Sequence, residues 1–345
     1  MRDPYWHDTT ATLYAADPRE VLAEMPDQAV DCIVTSAPPW QPVPDDHVQD
    51  GYGHEPTPSL YVAAVRRVLA EAHRVLIDEG TCWLTTSDRY ATDTGWDGPS
   101  PGRHVRRVRD HTMIGLPTSS LIGLPWQIAF ALQDDGWIVR NAVVWHHPAL
   151  EEAPSAADRL ASSYELIFLL VKQKRHYLDL DSIRHQPWPG IAVASPAAGG
   201  NPGAAGCLDP NACRCGNRHS RRHGNGKYAN AAGNCGRRQH EAATHVAVRH
   251  HAAAHPNGNS TGDVWDLPAP PVWNTVPIEL PLRCIAAGCR PGGTVLDMFA
   301  GIATTGLAAR ELDRSFIGIE QTPDLCRIAQ RRLEENTGDT DGSAR

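Results

Sequence analysis

Residues Gly293–Gly306 read GTVLDMFAGIATTG, and the fold follows from how this stretch is parsed. Thr294, Val295 and Leu296 form an apolar run of the length of a buried strand, which Asp297 closes. Phe299, Ala300, Gly301, Ile302, Ala303, Thr304 and Thr305 lead into a helix-like run from Gly306 to Leu312. Strand, small-residue turn and helix start together make the nucleotide-side corner of a doubly wound sheet. Gly301 lets the backbone come close to a ligand, and the N–H groups of the helix start point at it. A second apolar run, Phe316-Ile317-Gly318-Ile319, ends in Glu320, where an acid can accept hydrogen bonds from two ribose hydroxyls. No Gly-x-x-x-x-Gly-Lys-Ser/Thr loop is present, so the site is not built for a triphosphate. The plainer reading is a tight turn in an α/β core; the spacing of Asp297, Gly301 and Glu320 argues against it.

Two strands cannot make such a sheet, so the rest comes from the N-terminal side. Five apolar runs qualify: Thr12–Ala16, Asp31–Thr35, Thr81–Thr85, Trp137–Trp145 and Tyr164–Val171, the last two with the lengths of a hairpin-like pair. Helical patterns cover Arg19–Met25, Leu60–Leu76, Ser119–Leu132 and Pro277–Ala287, with Asp78-Glu79-Gly80 ending the second. The expected fold is a seven-stranded, doubly wound, Rossmann-like sheet in circularly permuted order, its ligand half last. Setting Asp31–Thr35 beside Thr294–Leu296 brings the segment after Thr35 against the Gly301 turn.

That segment is Ser36-Ala37-Pro38-Pro39-Trp40. Two prolines fix the backbone, so a Pro carbonyl points outwards with no adjacent N–H to compete. A rigid carbonyl plus a hydroxyl can accept hydrogen bonds from an exocyclic amine, and Trp40 can stack on a base. Those are the needs of a site that takes one base out of a duplex. A Pro-rich turn after a strand is the plain alternative; pairing with the Gly301 motif favours the chemical one.

The 345 residues carry a formal net charge of −8, which does not suggest a polyanion-binding protein as a whole. The charge is uneven. Between Lys172 and His255 there are 12 Lys/Arg against four Asp/Glu, with nine His, while the rest carries 20 against 36. From Trp188 to Asn259 no periodicity is sustained, and Gly, Ala, Asn, His and Arg dominate. A basic, loop-rich insertion in an acidic body reads as a local polyanion-binding surface, with Arg218, Arg221, Arg222, Arg237 and Arg238 its densest charge. A solvated loop is the bland reading. The expected layout is 1–187 and 261–335 as two parts of one domain, 188–260 as the insertion and 336–345 as a flexible tail. Nine scattered cysteines fit a reducing cytosol rather than a disulfide framework, and no run approaches a membrane span.

The two motifs together resemble the β-class amino-DNA methyltransferases, which use S-adenosyl-L-methionine. Their catalytic loop, Asp/Asn/Ser-Pro-Pro-Tyr/Phe/Trp, comes first in the chain, and their cofactor motif, Asp-Pro-Phe-x-Gly-x-Gly-Thr-Thr, comes last. Here Met298 and Ala303 replace the Pro and the second Gly, and Ala37 is inserted after Ser36. Glu55-Pro56-Thr57-Pro58, Gly123-Leu124-Pro125-Trp126, Ser163-Tyr164-Glu165 and Asp263-Val264-Trp265 look like further landmarks in family order. Val272–Val276 stands where the family usually has a His-Phe-Ala segment. The resemblance implies methyl transfer to a flipped-out base in double-stranded DNA, cytosine N4 favoured by the Ser form of the loop, adenine N6 the alternative. It implies Ser36, Pro38, Pro39 and Trp40 as catalytic residues. Asp17, Thr35, Asp297, Phe299, Gly301, Thr304, Thr305 and Glu320 are implied for the cofactor. It leaves room for a companion restriction endonuclease and a homodimer. The inserted Ala37 and the absent His-Phe-Ala segment support a rival, a catalytically weak DNA-binding relative. An RNA or small-molecule methyltransferase is a third possibility, the small molecule fitting poorly with the basic insertion.

Weaker signals are left outside that scheme. Cys207, Cys213, Cys215 and Cys235 lack the paired spacing of common zinc sites, and no metal is assigned. Arg103, Arg106, Arg107 and Arg109 are either phosphate contacts or a solvated loop. Asp3-Pro4-Tyr5-Trp6 lacks a preceding strand and a second Pro, which rules it out as the catalytic loop.

Overall fold

All seven apolar runs become strands, and the sheet they build gains a short strand at each edge. A computed structural model describes residues 2–42, 51–91, 116–117, 119–146, 159–160, 162–184, 261–268 and 275–336. Its strands are β1 (Trp6–His7), β2 (Ala11–Ala15), β3 (Val30–Ser36), β4 (Leu76–Thr86) and β5 (Ile138–His146). They continue with β6 (Tyr164–Val171), β7 (Val264–Asp266), β8 (Thr294–Asp297) and β9 (Ser315–Glu320). Among the described residues they form one nine-stranded sheet in the order β1-β2-β9-β8-β3-β4-β6-β5-β7. Strands β2, β9, β8, β3 and β4 are parallel, and β6 runs antiparallel to both β4 and β5. The strand order reverses between β8 and β3, which pair through Cys32–Val295 and Ile33–Leu296. The Gly301 turn and the Pro-Pro loop therefore leave the sheet side by side at its carboxyl edge.

The strands are apolar on both sides because helices cover both faces. One core contains Ile33, Leu84, Leu296 and Ile319 from the sheet with residues of α1 (Pro18–Glu24), α2 (Pro58–Val75) and α3 (Leu124–Asp134). The other contains Cys32, Val34, Val295 and Phe316 with residues of α4 (Glu279–Gly288), α5 (Thr304–Glu311) and α6 (Pro323–Glu335). Cys32, Cys82, Cys284, Cys289 and Cys326 are buried free thiols. No helix among the described residues is long and apolar enough to cross a membrane.

Three expectations shift. Asp78-Glu79-Gly80 does not end α2; the helix stops at Val75 and these residues lie inside β4, with Leu76 already pairing with Val30. Helix α3 starts at Leu124, not Ser119, because Pro125 sits in its first turn and Asp88 accepts the N–H groups of Gly123 and Leu124 at 3.0 and 3.1 Å. Helix α6 has no counterpart among the helical patterns read from sequence. Residues 1–183 and 262–345 belong to one compact unit. The basic insertion with Arg218, Arg221, Arg222, Arg237 and Arg238, the four cysteines within it, Arg103–Arg109 and residues 271–274 lie outside the described residues.

Candidate active site

At the cofactor corner the acids are more deeply engaged than an open ligand cup would need. Asp297, 4% exposed, accepts from the Thr35 hydroxyl and the Thr305 hydroxyl, both at 2.7 Å, and from the Phe299 N–H at 3.1 Å. It thereby ties β3, the turn and the start of α5 to the end of β8. Burial pushes its carboxyl up to about 6, against the bonds from Thr305, Thr35 and Phe299. Glu320 accepts from the Gly301 N–H at 2.9 Å and the Thr322 N–H at 2.7 Å. The Gly301 N–H is thus committed to Glu320 rather than free for a ligand. Each Glu320 oxygen keeps acceptor capacity beyond these two bonds. Thr304 accepts from Arg332 at 3.2 Å, so both threonines brace the turn.

The turn itself is open. Gly301 has φ +53°, and a Cβ built there would meet nothing among the described residues within 4 Å. Ala303 adopts φ +59°, the left-handed conformation for which the family's second glycine is suited. Asp17 lies just beyond β2, whose Ala15 pairs with Glu320. It caps α1 through Arg19 N–H at 2.8 Å and accepts from the Tyr52 hydroxyl at 3.1 Å. The Tyr52 ring meets Phe299 edge-on at 5.1 Å. Tyr52 therefore reaches across the corner from Phe299 to Asp17, and the sequence gives no sign of it because its partners lie 35 and 247 residues away. Space at Gly301, acceptor capacity on Glu320 and an aromatic wall fit an adenosyl group.

Across the switch point, β3 keeps a regular ladder to its end. Thr35 pairs with Leu84 and Ser36 with Thr85, and Ala37 donates its N–H to Thr85 O at 3.0 Å. The irregularity in this pair lies between Val30 and Cys32. The sequence favours a register in which the inserted Ala37 bulges and Ser36 still reaches the target amine; the ladder has no bulge there, so Ser36 stays within the strand and Ala37 follows it into the loop. Alternation sends the Ser36 side chain to the opposite face from Thr35 and Ala37.

Beyond Ala37 the loop is braced from several elements. The Pro38 carbonyl accepts from the Tyr61 hydroxyl of α2 at 2.8 Å. Pro39 packs so closely on Gly53 (φ +93°) that a Cβ there would lie 2.5 Å from the Pro39 oxygen. Trp40 is 5% exposed; its indole N–H donates to Glu55 O at 2.7 Å, and Arg89 donates to its carbonyl at 2.7 Å. In this conformation Trp40 is a wall of the loop rather than an open stacking face. Glu55, whose carboxyl burial pushes up, receives the Gly53 N–H at 2.9 Å. Tyr61, Gly53 and Arg89 carry no sequence signal for this role, whereas Glu55 stands in one of the family landmarks. Among the described residues no three His, Cys, Asp or Glu side chains are grouped to hold a metal.

A sheet entered at the Pro-Pro loop and finished at the small-residue turn is the permuted, Rossmann-like architecture of DNA methyltransferases. The chain belongs to the N6/N4 DNA methylase family, whose model matches residues 30–331. It is 30% identical over 328 residues to the type II methyltransferase M.Cfr9I of Citrobacter freundii, covering 94% of this chain and 88% of that protein. It is 31% identical, with the same coverages, to M.XycI of Xanthomonas campestris pv. cyanopsidis. Among solved structures it resembles the PvuII DNA methyltransferase (cytosine-N4-specific), with a TM-score of 0.56 and 17% identity over 97% of this chain and 93% of that one. A Thermus thermophilus protein complexed with S-adenosyl-L-methionine matches with a TM-score of 0.53 and 19% identity, over 96% and 97% of the two chains. Methyltransferases of this family use S-adenosyl-L-methionine.

Proposed function

We propose that this protein methylates an exocyclic amine of a base in double-stranded DNA, with cytosine N4 the favoured target. The observation that carries the reading is the hydrogen bond from Thr35 to Asp297, 2.7 Å long, which joins the end of the catalytic strand to the cofactor corner. It supports a single site in which donor and acceptor are held in fixed register. Preference for cytosine rests on the absence of an Asp from the Ser36–Trp40 loop and on likeness in fold to a cytosine-N4-specific enzyme.

When bound, S-adenosyl-L-methionine would supply an electrophilic sulfonium methyl group for the target amine. The chain's part is positioning. Glu320 and Asp17 offer acceptors at the cofactor end, with Phe299 and Tyr52 as the apolar wall. Asp297, Thr35, Thr304 and Thr305 hold the turn's shape. Pro38 presents a carbonyl to the amine, with Pro39 fixing the backbone and Trp40 closing the side. Accepting an N–H from the amine keeps its nitrogen lone pair aimed at the methyl carbon. Ser36 extends the strand that carries this loop. The insertion 188–260, with Arg218, Arg221, Arg222, Arg237 and Arg238, is proposed as the DNA-reading part. The type II names of the relatives support a companion endonuclease of the same specificity.

Expression in a host free of DNA methylation, followed by nucleoside analysis of its DNA, tests the reading. N4-methylcytosine is expected. N6-methyladenine would keep the enzyme and change its base. Unmodified DNA from a soluble, cofactor-binding protein would favour the non-catalytic DNA binder.

A further inference from the structure

We propose that the hydroxyl of Thr86 is a catalytic acceptor, taking one N–H of the target amine in place of the hydroxyl that position 37 lacks. The proposal rests on the methyltransferase reading above. It starts from Ala37, whose N–H bond to Thr85 leaves no room for a bulge. Just past the end of β3, Ala37 packs in the same core as Ile33 and brings only a methyl group to that face.

The ladder places Thr86 next to it. Thr35 pairs with Leu84 and Ser36 with Thr85, so the next row sets Ala37 beside Thr86 on the neighbouring strand. Adjacent strands run about 4.8 Å apart, and paired residues point to the same face. Thr86 is the last residue of β4, at the carboxyl edge where the loop leaves. On its other side it pairs with Leu166 of β6, which offers no polar side-chain atom.

Thr86 is 2% exposed, and its Oγ1 has no hydrogen-bond partner. Among the described residues it is the one buried side-chain hydroxyl in that condition. Leaving a buried hydroxyl unpaired is destabilising, and each such group calls for an explanation. Nearby hydroxyls are already used: Tyr61 on the Pro38 carbonyl, Thr35 on Asp297. An exocyclic amine has two hydrogens. The Pro38 carbonyl, with one lone pair given to Tyr61, keeps a second for one of them. Thr86 supplies an oxygen for the other. Because this oxygen is buried, its cover has to give way when the base enters, so the amine is stripped of water as it seats.

The test uses the full-length protein, Thr86→Val and Thr86→Ser. Single-turnover methylation of DNA from a methylation-free host is measured at saturating S-adenosyl-L-methionine, with cofactor affinity and the thermal midpoint alongside. Thr86→Val should lose about 10- to 100-fold in rate. Its cofactor affinity should match the parent, and its midpoint should equal or exceed the parent's, since an unpaired buried hydroxyl has been removed. Thr86→Ser should stay within about threefold of the parental rate, because it keeps the hydroxyl. A parental rate in Thr86→Val, or equal losses in both variants, overturns the assignment while leaving the methyltransferase reading intact. No methylation by the parent overturns both.

Discussion

Asp297 is the residue whose chemistry most strongly shapes the site's behaviour. Its folded pKa of about 6 stands above the ordinary value of 3.8 because burial disfavours the charged form. Between pH 4 and 6 the folded state therefore binds more protons at this group than the unfolded chain, and its contribution to stability falls as pH rises. The total is about 3 kcal/mol for a shift of this size, complete once pH passes 6. Urea unfolding of the ligand-free protein from pH 4.5 to 7 should show this downward slope, and Asp297→Asn should remove it; identical slopes would mean the carboxyl is ionised throughout. Ser36 gives the second prediction. Held in the ladder on the face away from Ala37, it should tolerate Ser36→Ala with turnover within about threefold. A loss above tenfold with cofactor affinity unchanged would return the hydroxyl to the reaction. The acids at 297 and 320 are legible in the sequence because each ends an apolar run. What they bond to is not: the partners of Asp297 include Thr35, 262 residues away.

Helix α5 and the turn before it show how an element can be built for a guest. Gly301 takes a left-handed φ that disfavours any side chain, yet nothing among the described residues fills the space a Cβ would need. Gly301→Ala should therefore lower stability by only about 1–2 kcal/mol, the strain of the conformation. Cofactor affinity, followed by calorimetry, should fall at least about tenfold, since the methyl stands where a ligand would approach the backbone. Parental affinity would show that the cofactor passes elsewhere. Elements are readable to the degree that their signal is local. The parallel strands are continuous apolar runs and stand out; β1 is only two residues long and does not. Helix α6 buries only Cys326, Ala329 and Leu333 among many charges, too thin a stripe to show. The start of α3 is hidden because its capping acid, Asp88, comes from just beyond the end of β4 rather than from the preceding turn.

At the level of the whole chain, positive charge gathers in the insertion proposed to read DNA, while the rest of the chain is acidic. Replacing Arg221, Arg222, Arg237 and Arg238 with Gln should weaken DNA binding across sequences and reduce the salt slope by up to roughly 3 to 4, one counterion per lost phosphate contact. Cofactor binding should be unaffected; an unchanged slope would move the DNA to the Arg103–Arg109 stretch. The permuted order is legible because only two of the seven apolar runs follow the insertion, and two strands cannot make a doubly wound sheet. The same order governs how the molecule comes into being. Strands β2 and β3 are neighbours in the chain but are parted in the sheet by β9 and β8. At roughly 5–20 residues per second, a ribosome releases β3 about 10–60 s before β8 exists. Through that interval β3 can recruit β4 on one flank only, and the other flank stays an open, apolar edge of the kind that invites aggregation. A premature stop anywhere before Thr294 would thus yield a sticky half-sheet for chaperones and proteases to clear, not a weakened enzyme.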